Sequence, residues 1–311
     1  EHDGVTAPLD RRWAALASRG LAPTSLEQYA RCPFQYFSAQ VLRLEPVRSG
    51  TSGDVSPLVL GELCHDTLHY CYRRLAEIGW PQKECTRDAL HAEIEAAAGA
   101  VCADYAKDHG TGYALVWQLA LETVVVLAEA MLESDSVEFR ASGFRPVQFE
   151  VEAEGPLDIV DPVAFKGLKV RGRLDRVDRR AQPPVLRVID YKYRHSGGER
   201  STDRDLLASA VRGFRLQPPL YALMTPEGAP ATPEAVELAF LVRKPSPQIE
   251  RARFESSAWN GPAGGLLKKT VQTIVGGIRE GQYAILPDGY CDHCEFSEAC
   301  RRFHGPTWWR A

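Results

Sequence analysis

KGLKVRGRLDRVDRRAQPPVLRVIDYKYR, residues 166–194, reads as two strands joined by a short turn. From Leu168 to Asp178, small or apolar Val170, Gly172 and Leu174 alternate with polar Arg171, Arg173 and Asp175, the period of two of a sheet with unlike faces. Arg180-Ala181-Gln182-Pro183-Pro184 is the turn, and Val185 to Tyr193 the second strand. That strand sets Leu186, Val188, Asp190 and Lys192 on one side and Val185, Arg187, Ile189 and Tyr191 on the other, so Asp190 and Lys192 point the same way. With Asp175 on the neighbouring strand, two acids and one lysine meet on a mostly apolar hairpin. Carboxylates are the hard oxygen ligands that Mg²⁺ and Mn²⁺ prefer. A lysine beside them can orient or deprotonate a water, or stabilise charge on a phosphate. A lone Asp-x-Lys is equally a surface ion pair, and its company decides between the two.

Gly172-Arg173-Leu174-Asp175-Arg176-Val177-Asp178 followed by Val188-Ile189-Asp190-Tyr191-Lys192 resembles the G-x-x-D-R-x-D and D-Y-K core of the PD-(D/E)xK nucleases, in their RecB-type branch. Two further marks are Gly61-Glu62-Leu63-Cys64-His65, similar to the family's G-x-x-x-H helix, and Gln217-Pro218-Pro219-Leu220-Tyr221, similar to its Gln-x-x-x-Tyr helix. The resemblance implies an α/β restriction-endonuclease-like fold, a mixed sheet centred on the hairpin and flanked by helices. It implies that His65, Asp175, Asp190 and the Tyr191 carbonyl hold Mg²⁺ or Mn²⁺, that Lys192 serves the attacking water, and that Gln217 orders the site or touches the nucleic acid. Arg173, Arg176 and Tyr221 are the expected nucleic-acid contacts, supplying charge and stacking.

The chain of 311 residues is long enough to bury a full core, and we expect one elaborated domain over 23–304, a linker or peripheral segment over 1–22 and a tail over 305–311. Hydrophobic content of 44% with 25% charged residues is ordinary for a globular protein. A net charge of −4 argues against coating DNA by bulk positive charge. It leaves room for local arginines, Arg171, Arg173, Arg176, Arg179 and Arg194, to track a strand. No membrane span and no secretory leader is expected, and Glu1 in place of Met reads as a piece cut from a longer cytoplasmic chain.

Thr24-Ser25-Leu26-Glu27 reads as a capping box opening a helix. Ser25 to Phe37, SLEQYARCPFQYF, is similar to the S-x-x-x-Y-x-x-C-P-x-x-[YF] opening of RecB-family and AddB-type nuclease domains. Residues 45–56 read as a loop, and Pro57–Ile78, Thr86–Asp108 and Tyr113–Glu133 as helices. His65 and His69 sit four apart, and only the resemblance singles out His65. Pro146 to Glu154 is a half-buried strand on which Glu150 and Glu152 read as solvated edge residues, an extra acid for the site being the alternative. His195 to Arg200 is a flexible loop beside the site. Residues 205–212 and 214–224 are short helices, 235–242 and 251–254 strands, and 265–278 an amphipathic helix.

Cys64, Cys71, Cys85 and Cys102 match no ligand spacing and read as small buried hydrophobes. Cys291-x2-Cys294-x5-Cys300 is a ligand run open to zinc, iron–sulfur or redox chemistry. The resemblance extends to the iron–sulfur nucleases of the AddB type and of CRISPR adaptation, and this implies Cys32 as fourth ligand of a [4Fe–4S] cluster that staples the helical shell. Structural Zn²⁺ on the same sulfurs, or with His293 or His304, is the alternative.

The expected activity is metal-dependent hydrolysis of DNA phosphodiesters, on a single strand, as the exonuclease domain of an AddB-like helicase–nuclease subunit in double-strand-break repair. No G-x-x-x-x-G-K-[ST] run occurs, so a helicase partner or further sequence would do the unwinding. The rival readings are a non-catalytic DNA-binding or assembly module and a stand-alone exonuclease of the CRISPR-adaptation kind. The Trp308-Trp309 tail is open between docking and folding back.

Overall fold

Ala235–Lys244 begins with eight consecutive buried residues, so this strand hides both faces and must lie inside a sheet covered on two sides. The computed structural model describes residues 4–45, 55–196 other than 82, 84, 110 and 112, and 202–302. Its helices are α1 (Asp10–Arg19), α2 (Pro23–Arg31), α3 (Pro33–Tyr36), α4 (Pro57–Glu77), α5 (Arg87–His109), α6 (Ala114–Ser142), α7 (Asp203–Val211), α8 (Gln217–Tyr221) and α9 (Gly264–Glu280). The strands are β1 (Arg145–Pro156), β2 (Lys169–Arg180), β3 (Val185–Ser196), β4 (Thr225–Pro226), β5 (Ala235–Lys244) and β6 (Gln248–Glu255).

The sheet runs β4-β1-β2-β3-β5-β6. Only β3 and β5 pair in parallel, joined by the crossover that carries α7 and α8. This is the mixed α/β sheet flanked by helices that the hairpin implied, and β2 and β3 are its centre. One face carries Val170, Leu174, Val188, Leu238 and Phe240 into a core closed by α2, α7, α8 and α9. The other carries Ile189, Tyr191, Ala239 and Leu241 against α4, α5 and α6.

Gly172 is one residue this packing requires, because a Cβ there would stand 3.3 Å from the Tyr221 ring that lies over β2. The apolar length of α6 would by composition alone allow a membrane crossing. Here α6 is a core helix, with Val124, Leu127 and Met131 fully buried.

Several boundaries differ from the sequence reading, each for a physical reason. α6 continues past Glu133 to Ser142 and closes on Gly143 at φ +73°. Asp135, beyond the expected end of this helix, is fully buried against two arginines from the sheet. The capping box at Thr24 is not formed: α2 begins at Pro23 with Ala22 as N-cap and no side-chain cap. The C-terminal end of the segment expected to be peripheral is tied down, since Leu21 is 2% exposed and its N–H donates to the Lys169 carbonyl at 2.8 Å. The loop residues 46–54 and 197–200, His304 and the Trp308-Trp309 tail lie outside the described residues.

Candidate metal centre

The ladder between β2 and β3 ends at the pair Arg176↔Ile189, while β3 goes on pairing with β5 and β2 with β1. Asp175 and Asp190 are the next residues on the two strands, so both acids stand at a fork in the sheet. The fork leaves the Tyr191 N–H without a strand partner, and Asp175 Oδ2 accepts it at 2.9 Å. This fixes the Asp175 carboxylate by its own neighbour strand.

Two other elements converge on the fork. From α4, His65 Nε2 lies 3.2 Å from Asp175 Oδ1 and 3.0 Å from Glu150 Oε1. His65, Glu150 and Asp175 offer ligand atoms that all lie within 4.8 Å of one another, the span of a shared cation. Glu150 enters from β1 at φ +48°, a left-handed conformation inside a strand, costly for a residue with a Cβ and typical of functional positions. Of the two readings of Glu150, solvated edge residue and extra acid of the site, its placement matches the second. His69, one turn on, stays outside the group and packs edge-on against Phe149.

Burial alone would lower the His65 pKa, yet the carboxylates of Asp175, Asp66 and Glu150 outweigh it and carry it up to about 12. The imidazolium thus supplies the positive charge that the acids demand when nothing else does. Asp190 is pushed up to about 6, first by burial, with Lys192 pulling against it and Asp175 adding to it. Lys192 Nζ lies 2.6 Å from Asp190 Oδ2. Burial would lower the lysine pKa, and Asp190 and Asp175 raise it instead, so Lys192 stays an ammonium. Glu150 Oε1 and Asp190 Oδ2 are buried, and the group that faces each is cationic, His65 at 3.0 Å and Lys192 at 2.6 Å. Carboxylates of Glu150 and Asp175 gathered on one imidazolium fit a hard divalent cation, which would displace the His65 proton.

A groove of about 520 Å³ opens beside this centre, lined by Lys192, Glu27, Arg31, Arg215, Gln217 and Tyr290 among others. Gln217 Nε2 donates to the Tyr221 hydroxyl at 3.0 Å, and its backbone N–H donates to Glu27 Oε1 at 2.8 Å. Glu27, missed in the sequence as a helix cap, is pushed up to about 7, chiefly by burial.

Of the expected nucleic-acid contacts, Arg173 is exposed and reaches Glu152 at 3.5 Å and Glu150 at 3.7 Å. Arg176 is a correction. It is fully buried, bonded to Asp135 at 2.6 Å, to the Tyr191 hydroxyl at 2.9 Å and to Asp178 at 3.1 Å, with its guanidinium over the Tyr72 ring. It holds α6 to the sheet and no strand can touch it. Tyr221 is a second correction, at 5% exposure with its hydroxyl on Gln217. Tyr191 meets the centre through its backbone, and its ring stacks on Tyr72.

The Cys291, Cys294 and Cys300 segment folds as two 3-10 turns. It is held to the Cys32 region by Arg31 over the Tyr290 ring and by a hydrogen bond from Gln35 to the Tyr290 hydroxyl. The Cys294 and Cys300 thiols are pushed up by burial first, and the charges of Cys32 and Cys291 act on both. Four cysteines from the two ends of the chain are therefore neighbours. Cys64, Cys71 and Cys102 are buried in the helical core, as their spacing implied.

A family model described as the PD-(D/E)XK nuclease superfamily matches residues 20–301. An ATP-dependent helicase/deoxyribonuclease subunit of Moorella thermoacetica is 30% identical over 246 residues, 73% of this chain and 20% of that protein. The protein of the same description from Geobacillus thermodenitrificans is 30% identical over 181 residues, 54% of this chain and 14% of its own length. The chain spans a fifth or less of the length of these two curated relatives.

Proposed function

The chain belongs to the PD-(D/E)XK nuclease superfamily, and on that footing we propose that it hydrolyses phosphodiester bonds of single-stranded DNA with Mg²⁺ or Mn²⁺, as the exonuclease part of a helicase–nuclease subunit. The observation that carries this is the fork in the sheet, where His65, Glu150 and Asp175 share one centre and Asp190 and Lys192 flank it. His65, Glu150, Asp175, Asp190 and the Tyr191 carbonyl would hold the cation. Bound there, the metal would act as a Lewis acid on the scissile phosphate and lower the pKa of a water.

The protein groups divide the remaining work. Lys192 Nζ, held as an ammonium, donates hydrogen bonds that orient the attacking water and offers charge to the phosphate oxygens. Asp175, pinned by the Tyr191 N–H, keeps its second oxygen turned to His65. Gln217 and Glu27 form the wall along which the strand lies beside Lys192. Arg173, exposed at the rim, gives charge to the backbone of the incoming strand.

Cys32, Cys291, Cys294 and Cys300 would hold a [4Fe–4S] cluster with no open position for substrate, a staple between the chain's ends. Structural Zn²⁺ on the same sulfurs is the alternative.

The test is a comparison of linear and closed circular single-stranded DNA with Mg²⁺ or Mn²⁺ and with chelator. The reading expects metal-dependent loss of the linear substrate and survival of the circle. Cleavage of the circle would leave a nuclease but refute the exonuclease, and retained DNA binding with no cleavage would favour the guide-module rival.

A further inference from the structure

α1 lies before the residues that the superfamily model matches, and no role in the chemistry above falls to it. It nevertheless walls a cavity of about 260 Å³ against the π-turn after α3 and the end of α9. Arg11, Arg12, Arg19 and Arg43 stand on its rim, all exposed. Among the described residues, none of these guanidinium groups has a carboxylate within ion-pair distance. Arg12 instead donates to the Gln40 carbonyl at 3.2 Å, and the Arg19 carbonyl accepts from Arg171. Four like charges gathered without a counter-charge repel one another, and an anionic ligand removes that cost.

The floor of the cavity is aromatic. Tyr36 and Tyr283 are buried in it, at 1% and 3% exposure, and Trp13, half-buried, is the ring that remains open. An open indole beside guanidinium groups is a combination that takes a nucleobase and its phosphate. Shared lining residues lead from the cavity towards the centre. Gln40 lines both it and a second groove of about 540 Å³, and Glu27 and Arg31 line both that groove and the one holding Lys192.

We infer that the α1 cavity is a distal subsite for a single-stranded DNA backbone and one base, at the far end of a track that passes Gln40, Arg31 and Glu27 to reach Lys192. This inference rests on the nuclease reading for its substrate. A subsite at this distance rewards only strands long enough to span the track, so it sets length preference rather than chemistry.

The experiment measures binding of fluorescent oligothymidylates of about 4 and about 16 nucleotides by anisotropy in chelator, over a range of salt, for the wild type, R12E/R43E and W13A. Cleavage of a small chromogenic thymidine phosphodiester is followed in parallel with Mn²⁺. The expected result for R12E/R43E is about a tenfold or greater loss of affinity for the long strand and a salt dependence flatter by at least about 1.4, from roughly 0.7 per lost contact. The short strand and the small substrate should behave as in the wild type, and W13A should weaken the long strand with an unchanged salt slope. Unchanged affinity for the long strand overturns the inference. Equal loss on short and long strands also overturns it, because the effect then lies in the catalytic groove. A wild type that binds with this length dependence but cleaves nothing sinks the nuclease reading and leaves the subsite standing.

Discussion

Replacing Glu27 by glutamine isolates the cost of the carboxylate that the fold buries beside the metal centre. Glu27 Oε1 accepts the Gln217 N–H at 2.8 Å, and burial pushes its pKa from 4.5 to about 7. Each unit is worth about 1.4 kcal/mol, so keeping this carboxylate ionised in the folded state costs up to about 3 kcal/mol. Its partial exposure screens some of that, leaving about 1–2 kcal/mol. The folded pKa lies above the unfolded one, so the folded state binds this proton more tightly. The stability it confers is complete below pH 4.5 and is lost as pH rises through about 7.

Glutamine keeps the acceptor and does not titrate. E27Q should therefore exceed the wild type by about 1–2 kcal/mol at about pH 8, a rise in Tm of roughly 2–3 °C, and the difference should vanish towards about pH 5. The assay is thermal unfolding by circular dichroism in chelator across that range. A difference that does not change with pH, or an E27Q protein less stable than the wild type at the alkaline end, refutes the reasoning.

Asp135→Ala removes the shared partner of Arg176 and Arg251, at 2.6 and 2.7 Å, and should cost about 3–5 kcal/mol or more in urea unfolding, since two buried cations lose their compensation. A loss under about 1 kcal/mol would mean that the network is not the tie between α6 and the sheet. Glu150→Gln should weaken Mn²⁺ binding in calorimetry by at least about tenfold with the fold intact, and equal affinity would remove Glu150 from the centre. Cys300→Ala should lower visible absorbance and Tm together while Mn²⁺ affinity at the fork is kept. Full absorbance and an unchanged Tm would show that Cys300 is not a ligand.

The hairpin was legible because a strand's period of two and an Asp-x-Lys spacing are local facts. So was β5 as a buried strand, whose apolar run has no solvent face, though not its parallel pairing. Glu150 was legible only as the lesser alternative, since alternation with Phe149 and Val151 places it outward, and its φ of +48° and the approach of α4 turn it to His65. Arg173 and Arg176 look alike in a run of arginines. Their fates diverge because Asp135, the acid that buries Arg176, lies on a helix distant in sequence. Glu27 fits a capping box by spacing, yet Pro23 already starts the helix and the carboxylate is free to meet Gln217. For the cysteines, the three late ones are a local pattern, whereas Cys32 comes near them only through the packing around Tyr290. What escaped the sequence are long-range pairings of polar groups, and these set which charges face the fork and which face the core.

The most direct measurement is cleavage of end-labelled single-stranded DNA with Mn²⁺ by the wild type and by Asp190→Ala, with DNA affinity measured alongside in chelator. The account predicts cleavage by the wild type that disappears in the variant and in chelator while DNA affinity remains. Equal cleavage by both proteins would contradict it, because the fork between β2 and β3 would then not be the place where the phosphodiester is cut.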